Sequence, residues 1–517
     1  MLYSCVSRFI TAFLLVLPAS GVLAREVTIL YTNDIESVYE PVEASWRDDM
    51  RRMGGMARLA TLLEQERGRN AATFTVDAGD IFTGSLSKAT QGALVFDLYS
   101  AMGYDAVNLG NHEFEYGWPV LRQVMQRARF AVLNANIYYT GTDINIAQQY
   151  TILERDGVRV GVIGLMGIDA FVNTMMAANR DGLSVRPPAE IVQPLVDLLR
   201  PEVDLVVLLT HQNRTAPMQT NKEADPEVQR GYDEDYALAG QVRGVDLIVG
   251  GHSDNGLTEP VQHPESGTWI VMTFGQGLHL GRISFELGGD DGPRMTTGEL
   301  IPVNADVLDE DRHITDLISQ ARAAHSRLTE VVGRLSGQVL RRYYRESTLG
   351  NLMADMLKDF SGADVGLMPA GAIRADIQAG DVTVEEILNV FPFIDRVSVV
   401  SLPGSALREV FEKGLSLEYG LSQFAGVELT YDGSRPAGDR LLSASVADEP
   451  LDEARTYTLV TGSFTAKGGE NYTMFKGWPL AVSDTLVSDA LIAEFRRRGT
   501  VDVPPLGRQV DVSRTGD

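Results

Sequence analysis

The stretch Asn108-Leu109-Gly110-Asn111-His112-Glu113-Phe114-Glu115 follows the apolar pair Ala106-Val107 and sets an amide, an imidazole and two carboxylates directly after a glycine turn. It reads as a short strand that ends in a tight turn and delivers polar side chains. Such a cluster can ligate a metal through Asn111 and place His112 beside it as a proton donor. The alternative is a helix cap, since Asn and Asp are favoured N-cap residues. The rest of the chain favours the first reading, because comparable residues recur after other apolar runs.

Those runs are Val27–Tyr31, Thr73–Val76, Ala106–Leu109, Val158–Leu165, Val203–Leu209 and Val245–Val249. They are short, rich in β-branched residues and separated by helical stretches such as Met56–Arg67 and Leu94–Met102, the pattern of buried strands in an α/β domain. Ligands in such folds gather beyond the carboxyl ends of the strands. There this chain carries Asn33-Asp34-Ile35-Glu36, Asp77-Ala78-Gly79-Asp80, Gly110-Asn111-His112, His211-Gln212 and Gly250-Gly251-His252-Ser253-Asp254. Three of only seven histidines (His112, His211, His252) fall at strand ends. His263, His279, His313 and His325 read as structural or solvated.

With 517 residues the chain has room for two or three domains, and 44% hydrophobic with 22% charged residues is ordinary globular composition. A formal net charge of −25 argues against a nucleic-acid-wrapping surface, which needs a basic footprint. An anionic substrate would need a site made locally positive by metals or arginines. Residues 1–24 resemble a secretory signal: Arg8, an apolar Phe9–Leu17 and a small-residue end at Val22-Leu23-Ala24. Removal of that segment would take the single cysteine, Cys5, leaving a mature chain with neither disulfides nor thiolate zinc sites. The expectation is an exported protein, periplasmic or extracellular, with no stable membrane anchor.

Residues 212–244 read as a polar, solvated insertion with some helix; a lid is the alternative. Residues 288–308 mark a boundary, a charged helix from about Asp309 to Val332 connects, and a second domain runs from about Gly333 with its own strands and helices. The implied division is 1–24 signal, 25–305 catalytic domain, 306–333 linker and 334–517 second domain.

Strand-end Asp, Glu, Asn and His residues suit a two-metal hydrolytic centre, with Asp80 as the candidate bridging carboxylate. Two ions about 3.5–4 Å apart can bind a phosphoryl oxygen and support an in-line displacement. No G-x-S-x-G elbow and no G-x-x-x-x-G-K-[ST] loop occurs, which removes the serine-hydrolase and P-loop readings.

The ordered set Thr32-Asn33-Asp34, Gly79-Asp80, Gly110-Asn111-His112-Glu113, His211 and Gly250-Gly251-His252 resembles the calcineurin-like metallophosphoesterases. Further along, Gly350-Asn351-Leu352, Ala370-Gly371-Ala372-Ile373-Arg374, Phe391-Pro392-Phe393 and Phe464-Thr465-Ala466-Lys467-Gly468-Gly469 extend the resemblance to the 5′-nucleotidase family. The resemblance implies a four-layer αββα sandwich joined by a linker helix to a second, mixed α/β domain. It implies one ion held by Asp34, Glu36, Asp80 and Asp254, and another by Asp80, Asn111, His211 and His252. His112, paired with Glu115, would protonate the leaving oxygen, a role that needs a populated imidazolium. Arg341, Arg345 and Arg374 would receive phosphate or ribose oxygens through their planar forks. Phe393 and Phe464 would sandwich a base, with Glu470 near the ribose.

The implied activity is hydrolysis of nucleotides, extending to nucleotide sugars or 2′,3′-cyclic nucleotides. The alternatives are another ester, as in the related thiosulfohydrolases, or a non-catalytic binding protein. Small-molecule phosphate esters, not nucleic-acid polymers, are the implied partners. The family commonly has His at 36, Gln or Asn at 254, Asp at 115, Asn at 369 and Asp at 470. Here stand Glu36, Asp254, Glu115, Pro369 and Glu470. The first two make one site all-oxygen, which favours Mn²⁺ or Mg²⁺ there, with zinc, cobalt or iron as the alternatives. Pro369 and Glu470 put the preferred ester in question.

Overall fold

The strands predicted in the first half pair into two six-stranded sheets that pack face to face. A computed structural model describes residues 25–44, 46–213, 231–288 and 292–514; the expected signal segment lies outside them. In the first sheet the order is Arg294–Pro302, His279–Leu287, Arg25–Thr32, Thr73–Asp77, Ala106–Asn108 and Ala131–Leu133. In the second it is Val261–Gln262, Trp269–Val271, Leu247–Gly251, Leu205–His211, Val158–Met166 and Tyr150–Arg155. The inner strands of both are parallel, so their carboxyl ends point the same way within each sheet.

Alternation of side chains across a strand divides the apolar residues between layers. Val27, Ile29 and Tyr31, with Val207, Leu209, Leu247 and Val249, fill the space between the sheets. Val206, Leu208 and Ile248 face the other way, against helices Pro188–Leu199 and Asp233–Gln241. Leu30 of the first sheet joins Leu59, Leu63, Leu98 and Tyr99 of helices Met56–Arg67 and Ala93–Met102. Each fully buried Ile, Leu or Val contributes about 1.5–3 kcal/mol by leaving water. The result is the expected helix–sheet–sheet–helix sandwich.

The connector is shorter than its sequence predicts. Its helix spans Arg312–Ala324, with the Asp311 side chain accepting from the Ile314 backbone at 2.9 Å. A turn at Ser326–Thr329 follows, and Val331–Leu335 becomes a strand paired with Gly380–Thr383. The β-branched pair Val331-Val332 therefore belongs to the second domain's sheet and not to the helix. Arg322 on this connector bridges Glu40 of the first domain and Glu385 of the second.

The second domain centres on a five-stranded sheet ordered Gln423–Ala425, Val365–Met368, Thr456–Gly462, Arg396–Pro403 and Leu480–Leu486. Helix Thr348–Ser361 is capped by Ser347, and Val384–Val390 starts with a capping box of Thr383 and Glu386. Helix Gly84–Thr90 of the first domain lies on Val384–Val390. There the Ser85 backbone N–H donates to Asn389 at 3.0 Å, and Lys88 Nζ donates to the Phe393 carbonyl at 3.2 Å. The second domain is thereby held over the carboxyl ends of the sandwich strands.

Candidate metal centre and cleft

The candidate ligands sit where strand backbones turn sharply. Asp34, Glu36, Asp80, His252 and Asp254 all have positive φ, between 50° and 79°. That region disfavours residues bearing a Cβ and costs about 1–3 kcal/mol each, a cost concentrated at functional sites. Two glycines permit the close approach. A Cβ on Gly79 would lie 2.6 Å from the Gly110 nitrogen, and one on Gly110 would lie 2.2 Å from Asp80 Oδ1.

His211, Asp80 and His252 converge, with ligand atoms within 4.8 Å of one another. His211 Nε2 is 3.0 Å from Asp80 Oδ2, 3.1 Å from Asn111 Oδ1 and 3.2 Å from His252 Nδ1. The His252 backbone N–H donates to both Asp34 oxygens at 3.0 Å. Glu36 Oε1 and Asp80 Oδ2 lie 3.6 and 3.7 Å from His112 Nε2. Asp254 is buried beside them, and its Oδ1 has no hydrogen-bond partner.

Electrostatics fit a cation here. Burial and the Asp34 and Asp80 charges push the Asp254 carboxyl up, and burial pushes Asp34 up to about 6. Burial and neighbouring His211 hold His252 down to about 3, leaving a neutral imidazole suited to ligation. Burial also works against a charged His211, yet Asp80 and Asp34 pull it up to about 9. A pocket that draws protons onto buried imidazoles draws divalent ions for the same reason. The nitrogen and oxygen donors and the unpartnered Asp254 oxygen therefore fit divalent metals.

His112 stands at the edge of this centre, with Nε2 facing Glu36 and Asp80. Its Nδ1 meets Glu115 Oε1 at 2.6 Å, so the longer carboxylate still closes the pair. Burial opposes its charge, but Asp80 and Glu115 raise its pKa to about 10. The ring of Phe393 stacks on His112, with centroids 6.0 Å apart and planes at 25°.

Between the domains lies a cleft of about 1210 Å³ that opens onto Glu36 and Asp254 and is lined by Arg341, Arg345 and Arg374. Arg374 reaches across to pair with Glu36. Phe464 packs on Gly469, and Glu470 lies close to Gly371 and has a buried Oε2 with no partner. The structure thus brings the seven metal candidates and the His112–Glu115 pair together, with Arg374 touching them. It sets Phe393 against His112 and gives Phe464 a different neighbour.

Sequence reasoning missed three contributors. Tyr343 and His279 line the cleft with buried, unpartnered polar atoms, although His279 read as structural or solvated. The Arg341-Arg342-Tyr343-Tyr344-Arg345 run was the available signal for Tyr343. Among the described residues of 212–244, the expected helix forms at Asp233–Gln241, but it is not wholly solvated. Helix Asp233–Gln241 buries Asp235, whose carboxylate accepts from Thr210, Gln212 and Asn213 at 2.6–2.7 Å beneath His211. Residues 214–230, where a lid would fall, lie outside the described residues. Glu113 accepts backbone hydrogen bonds from Asp80, Ile81, Phe82 and Gly110 at 2.6–3.1 Å.

Comparison with known proteins agrees with this geometry. Residues 27–254 match the family model of the calcineurin-like phosphoesterases, and residues 329–477 match that of the 5′-nucleotidase C-terminal domain. The chain is thus a metal-dependent phosphoesterase of the calcineurin-like class. It is 28% identical to Protein UshA of Yersinia enterocolitica over 91% of this chain and 90% of that one. Identity to the human 5′-nucleotidase is 27%, over 89% of this chain and 86% of that one. The crystal structure of a 5′-nucleotidase precursor from Thermus thermophilus superposes with a TM-score of 0.81 at 25% identity, covering 95% of this chain and all of that one. With both domains matched in order, the chain belongs to the 5′-nucleotidase family.

Proposed function

We propose that the protein is an exported 5′-nucleotidase whose activity extends to nucleotide sugars or 2′,3′-cyclic nucleotides. One observation carries the reading: a cleft lined by three arginines opens onto a carboxylate–histidine centre that has an oriented proton donor beside it. The relatives named as 5′-nucleotidases support it. Asp34, Glu36, Asp80 and Asp254 would hold one ion, and Asp80, Asn111, His211 and His252 the other. When bound, two divalent ions polarise the phosphoryl oxygens and acidify the attacking water. His112 Nε2 delivers a proton to the leaving oxygen while Glu115 holds the ring. Arg341, Arg345 and Arg374 orient phosphate and ribose oxygens, Glu470 takes a ribose hydroxyl, and Phe393 and Phe464 receive the base.

A panel of nucleoside 5′-monophosphates, nucleotide sugars, cyclic nucleotides and an aryl phosphate, run with Mn²⁺, Mg²⁺, Co²⁺ and Zn²⁺, tests this. Cleavage of the aryl ester alone overturns the nucleotide reading. Phe393→Ala is expected to raise KM for nucleotides roughly 5- to 150-fold, from about 1–3 kcal/mol of base stacking, and to raise KM for the aryl phosphate less. The all-oxygen donor set of the first site favours Mn²⁺ or Mg²⁺ there. Two equivalents of zinc in protein purified without added ions, with no activation by manganese or magnesium, would contradict that preference. Amino-terminal sequencing of secreted protein should begin at Arg25.

A further inference from the structure

Glu36 is a metal candidate that already pairs with a side chain of the second domain. It is buried, has φ 50°, and its backbone N–H donates to the Asp80 carbonyl at 3.0 Å, so its position is fixed from the first domain. Arg374 approaches from the other side, following the turn Ala370–Ala372. Its backbone N–H donates to the Val390 carbonyl at 2.9 Å, and its Nη1 donates to the Gly371 carbonyl at 3.3 Å. The guanidinium pairs with Glu36 while its Nε has no partner. One buried carboxylate is therefore within reach of two cations: a guanidinium from one domain and an ion bound in the other. Two cations at one buried carboxylate repel each other, and little solvent screens them. Whichever holds Glu36 weakens the other's hold.

We propose that Glu36 is shared, so that Arg374 and the ion of the carboxylate-rich site compete for it. Arg374 then sets the occupancy of that site, and it turns to a substrate phosphate once the ion has taken Glu36. A histidine at this position could not pair with Arg374 in this way, so the coupling follows from the glutamate this chain carries. The inference rests on the reading that Asp34, Asp80 and Asp254 hold an ion. Because coupling is reciprocal, a phosphate that captures Arg374 strengthens ion binding, and the ion strengthens phosphate binding by the same factor.

Calorimetric titration of Mn²⁺ into the metal-free, full-length mature protein in phosphate-free buffer tests this. The wild type is expected to bind one ion tightly at the His211–His252 site and a second more weakly. Arg374→Gln should tighten the second ion about tenfold or more, because a buried charge pair no longer has to be broken, and leave the first unchanged. In the Glu36→Gln background the same Arg374→Gln change should do nothing. That non-additivity separates competition for Glu36 from general repulsion by a nearby positive charge. Two ions bound with one affinity by the wild type would overturn the proposal. So would a second-ion affinity untouched by Arg374→Gln, or the same gain in both backgrounds. Retention of the tight ion gauges folding; if Arg374→Gln loses it, Arg374→Lys makes the same comparison, with a smaller gain expected. The readout needs no turnover. Coupling absent with nucleotide hydrolysis intact overturns this inference alone, and coupling present with no nucleotide hydrolysed overturns the substrate reading alone.

Discussion

Replacing His112 with alanine is expected to lower kcat about 10²- to 10⁴-fold while leaving metal content unchanged, the range that a positioned general acid contributes. The geometry accounts for both halves. Nδ1 is committed to Glu115 at 2.6 Å, whereas Nε2 stands 3.6 Å from Glu36 and 3.7 Å from Asp80, beyond hydrogen-bond range of either. The Nε2 proton is therefore unspent and faces the centre. An alkoxide such as the ribose 5′ oxygen cannot leave without that proton, whereas a phenolate leaves more easily. The loss should accordingly be smaller for an aryl phosphate than for a nucleoside monophosphate. The sign of the pH effect follows from a pKa raised from the ordinary 6.5 to about 10. The imidazolium is lost as pH rises through that raised pKa, so activity falls on the alkaline side. Glu115→Gln removes one of the charges that raises it and should move that limb toward neutrality. A pH–kcat profile of both variants against the wild type, with metal content measured in parallel, checks each statement. An unchanged kcat in His112→Ala would remove the acid role.

What the sequence makes legible divides by the range of the interaction. Strands buried on both faces, such as Val158–Met166 and Leu205–His211, show as near-continuous apolar runs, and the residues that follow a run are chemically distinctive. The strand-end histidines and carboxylates are therefore identifiable from residue order alone. Boundaries are less sharply marked. The run beginning at Val203 becomes a strand only at Leu205, because Arg200–Glu202 with Pro201 forms a turn. It then extends to His211, because parallel pairing with Leu247–Gly251 continues that far. Backbone conformation is not legible: nothing local announces that Asp34, Glu36, Asp80, His252 and Asp254 adopt positive φ, since those angles are imposed by loops packed against one another. Long-range polar contacts are equally hidden. Asp235 under His211 lies in a stretch whose composition signals solvation, and the Glu36–Arg374 pair joins residues in different domains. Residue type narrows the candidates, and only tertiary structure shows which of them meet.

Glu113 carries the largest expected effect on folding. Its carboxylate is buried at 1% exposure and accepts four backbone N–H groups: Asp80 at 3.0 Å, Ile81 at 2.8 Å, Phe82 at 3.1 Å and Gly110 at 2.6 Å. One side chain therefore clips the loop after Thr73–Asp77 to the loop after Ala106–Asn108, and Asp80 is held at φ 57° between them. Glu113→Ala strands donors that no strand or helix can take. At about 1–3 kcal/mol for each unsatisfied buried group, partly offset by entering water, the loss should be about 4 kcal/mol or more. Glu113→Gln keeps the shape but points an NH₂ group at two donors, so roughly half the loss should remain. Because Asp80 is freed, affinity at the metal centre should fall with stability. Glu115→Ala makes the contrasting control: Glu115 holds the His112 ring and none of those four backbone groups, so its loss should lower kcat while leaving unfolding and metal content nearly unchanged. Thermal and urea unfolding of the two variants, read on the first-domain transition alongside metal titration, compares them. A Glu113→Ala protein that unfolds within about 1 kcal/mol of the wild type and binds metal normally would show that the loops hold themselves, since losing even one of the four bonds should cost that much.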